Sequence, residues 1–197
     1  MDNLLKVENI KLESFPHLKE ISFDVNKSEI IGIFCKIDNG QEQIIDSICG
    51  IKKIKEGKIS IVKNFYAIHH DSAIYEDLTV EENIQFTKDI YGTSIDIAEI
   101  LEMTALLKYR DIPVGKLPIP LKKMSHFACV LSTDFDLLIL EEPSMSFDDD
   151  SNQKLIELSK ILKNQGKGIA IFTGYHYNRT ISRINIQQCL HREGNIQ

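Results

Sequence analysis

The chain predicts an α/β fold, a largely parallel sheet with helices packed on it and an all-helical insertion in its middle. Three observations point there. Two short apolar runs, Glu29 to Phe34 and Phe135 to Leu140, have the composition of strands buried on both faces. The first run is followed by a polar loop and then by apolar residues at helical spacing, a strand–loop–helix unit. The middle third has helical periodicity with its own start and stop signals.

Taken in order, Leu4 to Ile10 and Glu20 to Val25 alternate like strands, with a break at Phe15-Pro16. The buried strand at 29–34 leads into the loop Lys36-Ile-Asp-Asn-Gly40, and Ile44, Ile45, Ile48 and Ile51 then recur on one helical face. Gly50 and the lysine-rich segment Lys52 to Gly57 close this unit, and Lys58 to Val62 resumes as strand. Thr79 and Glu82 have the spacing of a capping box, so a helix is expected from there to about Tyr91, with Gly92 as its stop. Further helices are expected over Ser94 to Leu107 and over Lys122 to Leu131, separated by the turn Asp111-Ile-Pro-Val-Gly115. After the strand at 135–140, Asn152 to Asn164 reads as an amphipathic helix, Gly168 to Thr173 as a strand, and Ile184 to Gln197 as a short terminal hairpin. The strands at Ile30 to Phe34 and Leu137 to Leu140 are expected to be adjacent and parallel. No repeat, low-complexity stretch or linker divides the 197 residues, which are expected to form one domain with a helical part at about 74–131.

Composition narrows the function classes. The chain is 43% hydrophobic and 26% charged, an ordinary globular balance. A formal charge of −6 argues against nucleic acid or anionic lipid as a general surface partner. No stretch approaches the roughly 20 apolar residues that span a bilayer, and MDNLLKVENIKLES lacks the apolar core of a signal peptide. The expected location is the cytoplasm, with any membrane association made through a partner. Cys35, Cys49, Cys129 and Cys189 form no C-x-x-C pair and read as reduced thiols.

Along almost its whole length the chain resembles the ATP-binding subunits of ABC transporters. Ala73-Ile-Tyr-Glu-Asp-Leu-Thr-Val-Glu-Glu-Asn-Ile84 with Ile90-Tyr-Gly92 is similar to the start of the helical subdomain in exporters of the bacitracin and lantibiotic-immunity type. Leu137-Leu-Ile-Leu-Glu-Glu-Pro143 with Ser146-Phe-Asp148 resembles the Walker B strand, the catalytic glutamate and the D-loop, and His176 the switch histidine. The resemblance implies the ABC nucleotide-binding fold, a P-loop-type core sheet with antiparallel N-terminal strands and a helical subdomain. It implies ATP and Mg²⁺ as ligands, a multi-span membrane permease as partner, and a dimer with itself or with an intact paralogue. Glu142 and His176 take the catalytic places, Glu141 and His70 those that support or contact the metal. Glu141 and Glu142 also fit a simpler reading, as acids that end a strand and are solvated or paired.

The phosphate loop departs from the pattern. A working loop, G-x-x-x-x-G-K-[ST], needs backbone N–H groups around the phosphates, a lysine on the β and γ oxygens and a hydroxyl on Mg²⁺. The matching residues are Cys35, Lys36, Ile37, Asp38, Asn39, Gly40, Gln41 and Glu42, of which only Gly40 fits. Gln41 stands for the lysine and Glu42 for the hydroxyl, and two acids in one loop repel an anion. The signature stretch is Leu117-Pro118-Ile119-Pro120-Leu121, where two prolines have no N–H to donate. The expectation is therefore a weak or absent ATP site in a structural or regulatory exporter subunit for peptide or antibiotic export or bacteriocin immunity. The alternatives are an active ATPase with an atypical loop and a soluble binding module.

Three smaller features have ordinary readings. His69-His70-Asp71 with His126 elsewhere suggests metal, but a solvated loop is the simpler account. Asp148 to Asp150 lacks the glycine and final glutamate of a Ca²⁺ loop and suits a helix N-terminus. Lys52, Lys53, Lys55 and Lys58 read as a solvated basic face.

Overall fold

The computed structural model describes residues 3–15, 20–34, 40–69, 74–145, 147–173 and 188–191. Three N-terminal strands, β1 (Asn3–Leu12), β2 (Ile21–Asn26) and β4 (Ile54–Ile61), form an antiparallel sheet in the order β2-β1-β4. A second sheet of five parallel strands holds β3 (Ile30–Phe34), β5 (Phe65–Ile68), β6 (Leu137–Glu141), β7 (Gly168–Thr173) and β8 (Gln188–His191) in the order β5-β6-β7-β3-β8. Helix α1 (Gln41–Ile48) precedes β4. The helices α2 (Val80–Tyr91), α3 (Ile97–Met103) and α4 (Ile119–Leu131) lie between β5 and β6, and α5 (Asp149–Asn164) joins β6 to β7.

Period-two alternation in the central strands decides where the core sits. Leu138 and Leu140 of β6, Ile169 and Ile171 of β7 and Ile30 of β3 face one apolar core with α2 to α5. Leu137 and Ile139, Ala170 and Phe172, and Ile31 and Ile33 face a second core with α1 and the N-terminal sheet. All five residues of β6 and all six of β7 are buried, as strands covered on both faces must be.

The order of strands corrects one expectation. β3 and β6 are parallel but not adjacent, because β7 lies between them and pairs with both. Other boundaries also differ. β4 begins at Ile54, inside the segment expected to be a connection. Gly57 makes this feasible: its φ is 95°, and a Cβ there would sit 2.5 Å from the carbonyl oxygens of Glu8 and Asn9, where the β1–β4 register shifts. β5, unmarked in sequence, pairs with β6. The helix expected over Ser94 to Leu107 is shorter: Asp96 caps it by accepting from the Ala98 N–H at 2.9 Å, and Ala105 at φ 59° ends the path. β8 pairs in parallel with β3; the rest of the tail expected as a hairpin lies outside the described residues.

The helical region starts as its sequence indicates. Thr79 Oγ1 accepts from the Glu82 N–H at 3.2 Å, Glu82 Oε2 accepts from the Thr79 N–H at 2.8 Å, and Gly92 closes α2 at φ 66°. Asn83, buried at 2% exposure, ties the preceding loop to this helix. Its Nδ2 donates to the carbonyls of Tyr75, Leu78 and Thr79 at 2.9, 3.2 and 2.9 Å, and its Oδ1 accepts from the Tyr75 N–H at 3.0 Å.

Two predictions follow from these buried polar groups. Asn83→Ala strands the Tyr75 N–H and the loop carbonyls and should cost about 2–4 kcal/mol in urea unfolding. A loss below about 1 kcal/mol would show water taking over those bonds. His126 on α4 is 6% exposed, its Nδ1 makes no hydrogen bond among the described residues, and burial pushes its ring down to about 4 from 6.5. Above pH 6.5 the ring is neutral in both the folded and unfolded chain. As pH falls towards about 4, the unfolded chain binds a proton that the folded chain refuses, so this residue should remove about 2–3 kcal/mol of stability. His126→Leu should lack that component. An unchanged difference between variant and wild type over this pH range would show that water reaches the ring.

Candidate functional site

The parallel strands β3, β5, β6 and β7 end on one edge of their sheet, the edge where open α/β sheets place their ligands. Helix α1 starts at the same edge, seven residues after the end of β3. Of the residues expected in the site, Cys35, Lys36, Asp38, Asn39, His70 and His176 lie outside the described residues, as do Asp71 and Ser146. Gly40, Gln41, Glu42, Pro118, Ile119, Pro120, Glu141 and Glu142 are described.

Gly40 is buried and left-handed at φ 78°, with Leu12 Cδ1 and Phe15 Cδ2 each 3.1 Å from where a Cβ would lie, so the position requires glycine. Its carbonyl accepts from the Ile44 N–H at 2.9 Å and opens α1. Gln41 and Glu42 occupy the first turn. Glu42 is exposed, with Lys52 Nζ 4.0 Å away. An acid there complements the positive end of the helix dipole from within the chain.

Below this turn, charged groups form a ladder across three elements. Asp46 points from α1 with its side chain 11% exposed and takes Lys52 Nζ at 2.8 Å. That carboxylate, by hydrogen bonding, holds the Lys52 ammonium above the usual lysine value. His69, just past β5, faces Asp46 through Nε2 at 3.9 Å and Glu141 through Nδ1 at 3.2 Å. Glu141 ends β6 at 7% exposure. His69 is therefore half-buried between two acids, which corrects its reading as part of a solvated loop. Among the described residues no group of three or more His, Cys, Asp or Glu could hold a metal ion. The imidazole offers opposite nitrogens to its two acids and so separates them, where a metal would draw its ligands together. The acid Asp46 within the otherwise apolar row Ile44, Ile45, Ile48 was the signal in the sequence for this cluster.

Glu142 adopts a left-handed backbone, φ 43°, unusual for a side chain of its size. Three contacts maintain it: its N–H donates to the Phe172 carbonyl at 2.8 Å, its carbonyl accepts from the Met145 N–H at 3.0 Å, and its Oε2 accepts from Thr173 Oγ1 at 3.1 Å. A strained residue held by its surroundings at a strand end is a common feature of functional sites.

Pro118 and Pro120 shape the start of α4. The helix begins at Ile119, earlier than expected, with Pro118 as N-cap at φ −60° and ψ 154°. Proline suits these positions because its fixed φ is pre-set for a first turn whose N–H groups lack helical partners. The same property leaves fewer donors for a ligand. Ile119 is 59% exposed at the tip. Asp148, the first of the three acids, is the N-cap of α5 and accepts from the Ser151 N–H at 2.8 Å; hydrogen bonding from the Ser151 side chain, then from its backbone, holds the carboxyl below the usual range.

No protein-family model matches the chain. Its relatives include the linearmycin resistance ATP-binding protein LnrL of Bacillus subtilis, 24% identical over 192 residues, which covers 88% of this chain and 61% of LnrL. They also include the teichoic acids export ATP-binding protein TagH of Bacillus cereus, 26% identical over 170 residues, covering 84% of this chain and 31% of TagH. The chain thus spans less than two thirds of either relative. A solved structure described as the ATP-binding subunit of an ABC transporter superposes with a TM-score of 0.75 at 22% identity, covering 87% of this chain and 79% of that one. With its antiparallel sheet, parallel core sheet and helices in the same arrangement, the chain has the ATP-binding cassette fold, and the proteins it is similar to are ATP-binding subunits of ABC transporters.

Proposed function

We propose that the chain is a cassette subunit of an ABC-type exporter that has kept the architecture and lost the hydrolytic chemistry. Its role is structural or regulatory, in peptide or antibiotic export or bacteriocin immunity. The observation that carries this reading is the first turn of α1. It presents Gln41 and an exposed Glu42 where the family has a lysine and a Mg²⁺-binding hydroxyl.

The described residues do not fit Mg-ATP. The lysine that would meet the β and γ oxygens is missing at 41, and Glu42 sets a negative charge beside the helix N-terminus that would receive them. Glu141, in the family's metal-supporting place, already has His69 against its carboxylate at 3.2 Å. At α4, Pro120 removes one backbone donor from the turn that would face a partner's nucleotide. Loss of one preorganised donor at developing charge costs about 100- to 1,000-fold in rate, and several are missing together. No step of ATP hydrolysis is therefore assigned to Glu142.

A membrane partner is supported by the surface of the helical region. Tyr75 and Phe86 stack edge to face with centroids 4.9 Å apart, both exposed, and Ile90 on the same helix is 63% exposed. Tyr75 lies in the stretch Tyr75 to Asn83, part of the sequence that resembles the start of the exporters' helical subdomain, where in that family a coupling helix of the membrane subunit docks. Among the described residues no helix is long and apolar enough to cross a membrane; the partner proposed for this surface is a permease segment. The resistance and export roles in the names of LnrL and TagH support the choice of an exporter.

Calorimetric titration with millimolar Mg-ATP should give no binding isotherm, and Gln41→Lys with Glu42→Ser should raise affinity. Phosphate release by the chain, alone and with its permease, should not exceed that of Glu142→Gln. A micromolar dissociation constant, or a turnover that vanishes in Glu142→Gln, would overturn the reading.

A further inference from the structure

The misfit with Mg²⁺ extends beyond the missing lysine, because the corner where a divalent cation would be supported is taken by the chain itself. Glu141 at the end of β6 and Asp46 in the middle of α1 are the buried acids on this edge. They belong to different elements, and His69 stands between them, with Nδ1 3.2 Å from Glu141 Oε2 and Nε2 3.9 Å from Asp46 Oδ1. Lys52 closes the far side of Asp46 at 2.8 Å. Two buried carboxylates are tolerated only with donors or cations against them, and here a histidine and a lysine of the same chain supply these.

We infer that His69 stands in for a divalent cation, bridging Glu141 to Asp46 and closing to Mg²⁺ a corner that the two carboxylates would otherwise offer it. The bridge links the end of β5 to α1 and β6, so the core sheet and the helix after β3 are fastened together without a ligand. Removing the ring leaves a pocket with an acid on either side. Mg²⁺ keeps several of its waters when it binds protein carboxylates, so hydrated Mg²⁺ can span a gap that was occupied by an imidazole. This inference rests on the reading that the chain does not use Mg-ATP, and it adds the residues that make it so.

The test reads thermal stability without nucleotide, using MgCl₂ as the probe against NaCl at equal ionic strength. Wild type should show no Mg²⁺-dependent change in Tm. His69→Ala should have a lower Tm, and millimolar MgCl₂ should restore about 2–4 °C of it. Asp46→Asn in the His69→Ala background should abolish that response. His69→Ala and Glu141→Gln should also be non-additive, the double variant losing no more than the larger single loss. If His69→Ala does not fold, His69→Gln takes its place. There the lost bridge is read from the fall in Tm and its non-additivity with Glu141→Gln alone, because the Gln side chain fills the space and faces only one of the two acids, so no MgCl₂ response is expected of it. A wild-type Tm that rises with MgCl₂ in a Glu141-dependent manner, a folded His69→Ala variant indifferent to MgCl₂, or strictly additive losses would each overturn the inference. The outcomes are separable from those for hydrolysis: phosphate release with an intact Mg²⁺ response in His69→Ala would sink the non-hydrolytic role alone. Absent phosphate release with additive losses would sink the bridge alone.

Discussion

The two-sided burial of β6 and β7 is the constraint on which the rest of the structure depends. Every residue of both strands is buried, so each needs an apolar layer above and below. Burying one Leu or Ile side chain contributes about 1.5–3 kcal/mol, and each of the two strands sends such side chains in both directions. Leu138, Leu140, Ile169 and Ile171 can be covered only by helices α2 to α5. Leu137, Ile139 and Phe172 need α1 and the antiparallel sheet, where Phe23 meets the Phe172 ring edge-on at 6.1 Å. The strand ends, and with them Glu141, Glu142 and Thr173, are placed by this layering.

Electrostatics at that edge then follow from burial. Asp46 and Glu141 are carboxylates with little access to water, so each must have a partner close by. His69 and Lys52 meet that requirement from within the chain. On that edge Glu42 stands beside the α1 N-terminus and His69 lies against Glu141. The helical region has a different balance. Its loop is held by the four bonds of Asn83, while Tyr75, Phe86 and Ile90 remain exposed beside that anchor.

The amino-acid sequence by itself determined the features that rest on near neighbours. The capping box at Thr79 and Glu82, the stop at Gly92 and the Asp148 cap involve residues a few positions apart, and their chemistry is local. The apolar runs at 30–34, 137–140 and 168–173 were legible as buried strands for the same reason. Tertiary structure alone decided the pairing. Nothing within β3 or β6 says that β7 will separate them, because each is a run of apolar residues that any parallel neighbour would satisfy. β5 was hidden because its four residues are only half-buried at the sheet's edge, and β8 because a parallel edge strand has no hairpin turn to announce it. The bridge at His69 was least legible of all: its hydrogen bond to Glu141 spans 72 positions, and a histidine in a polar segment looks solvated until the fold brings two buried acids to either side of it.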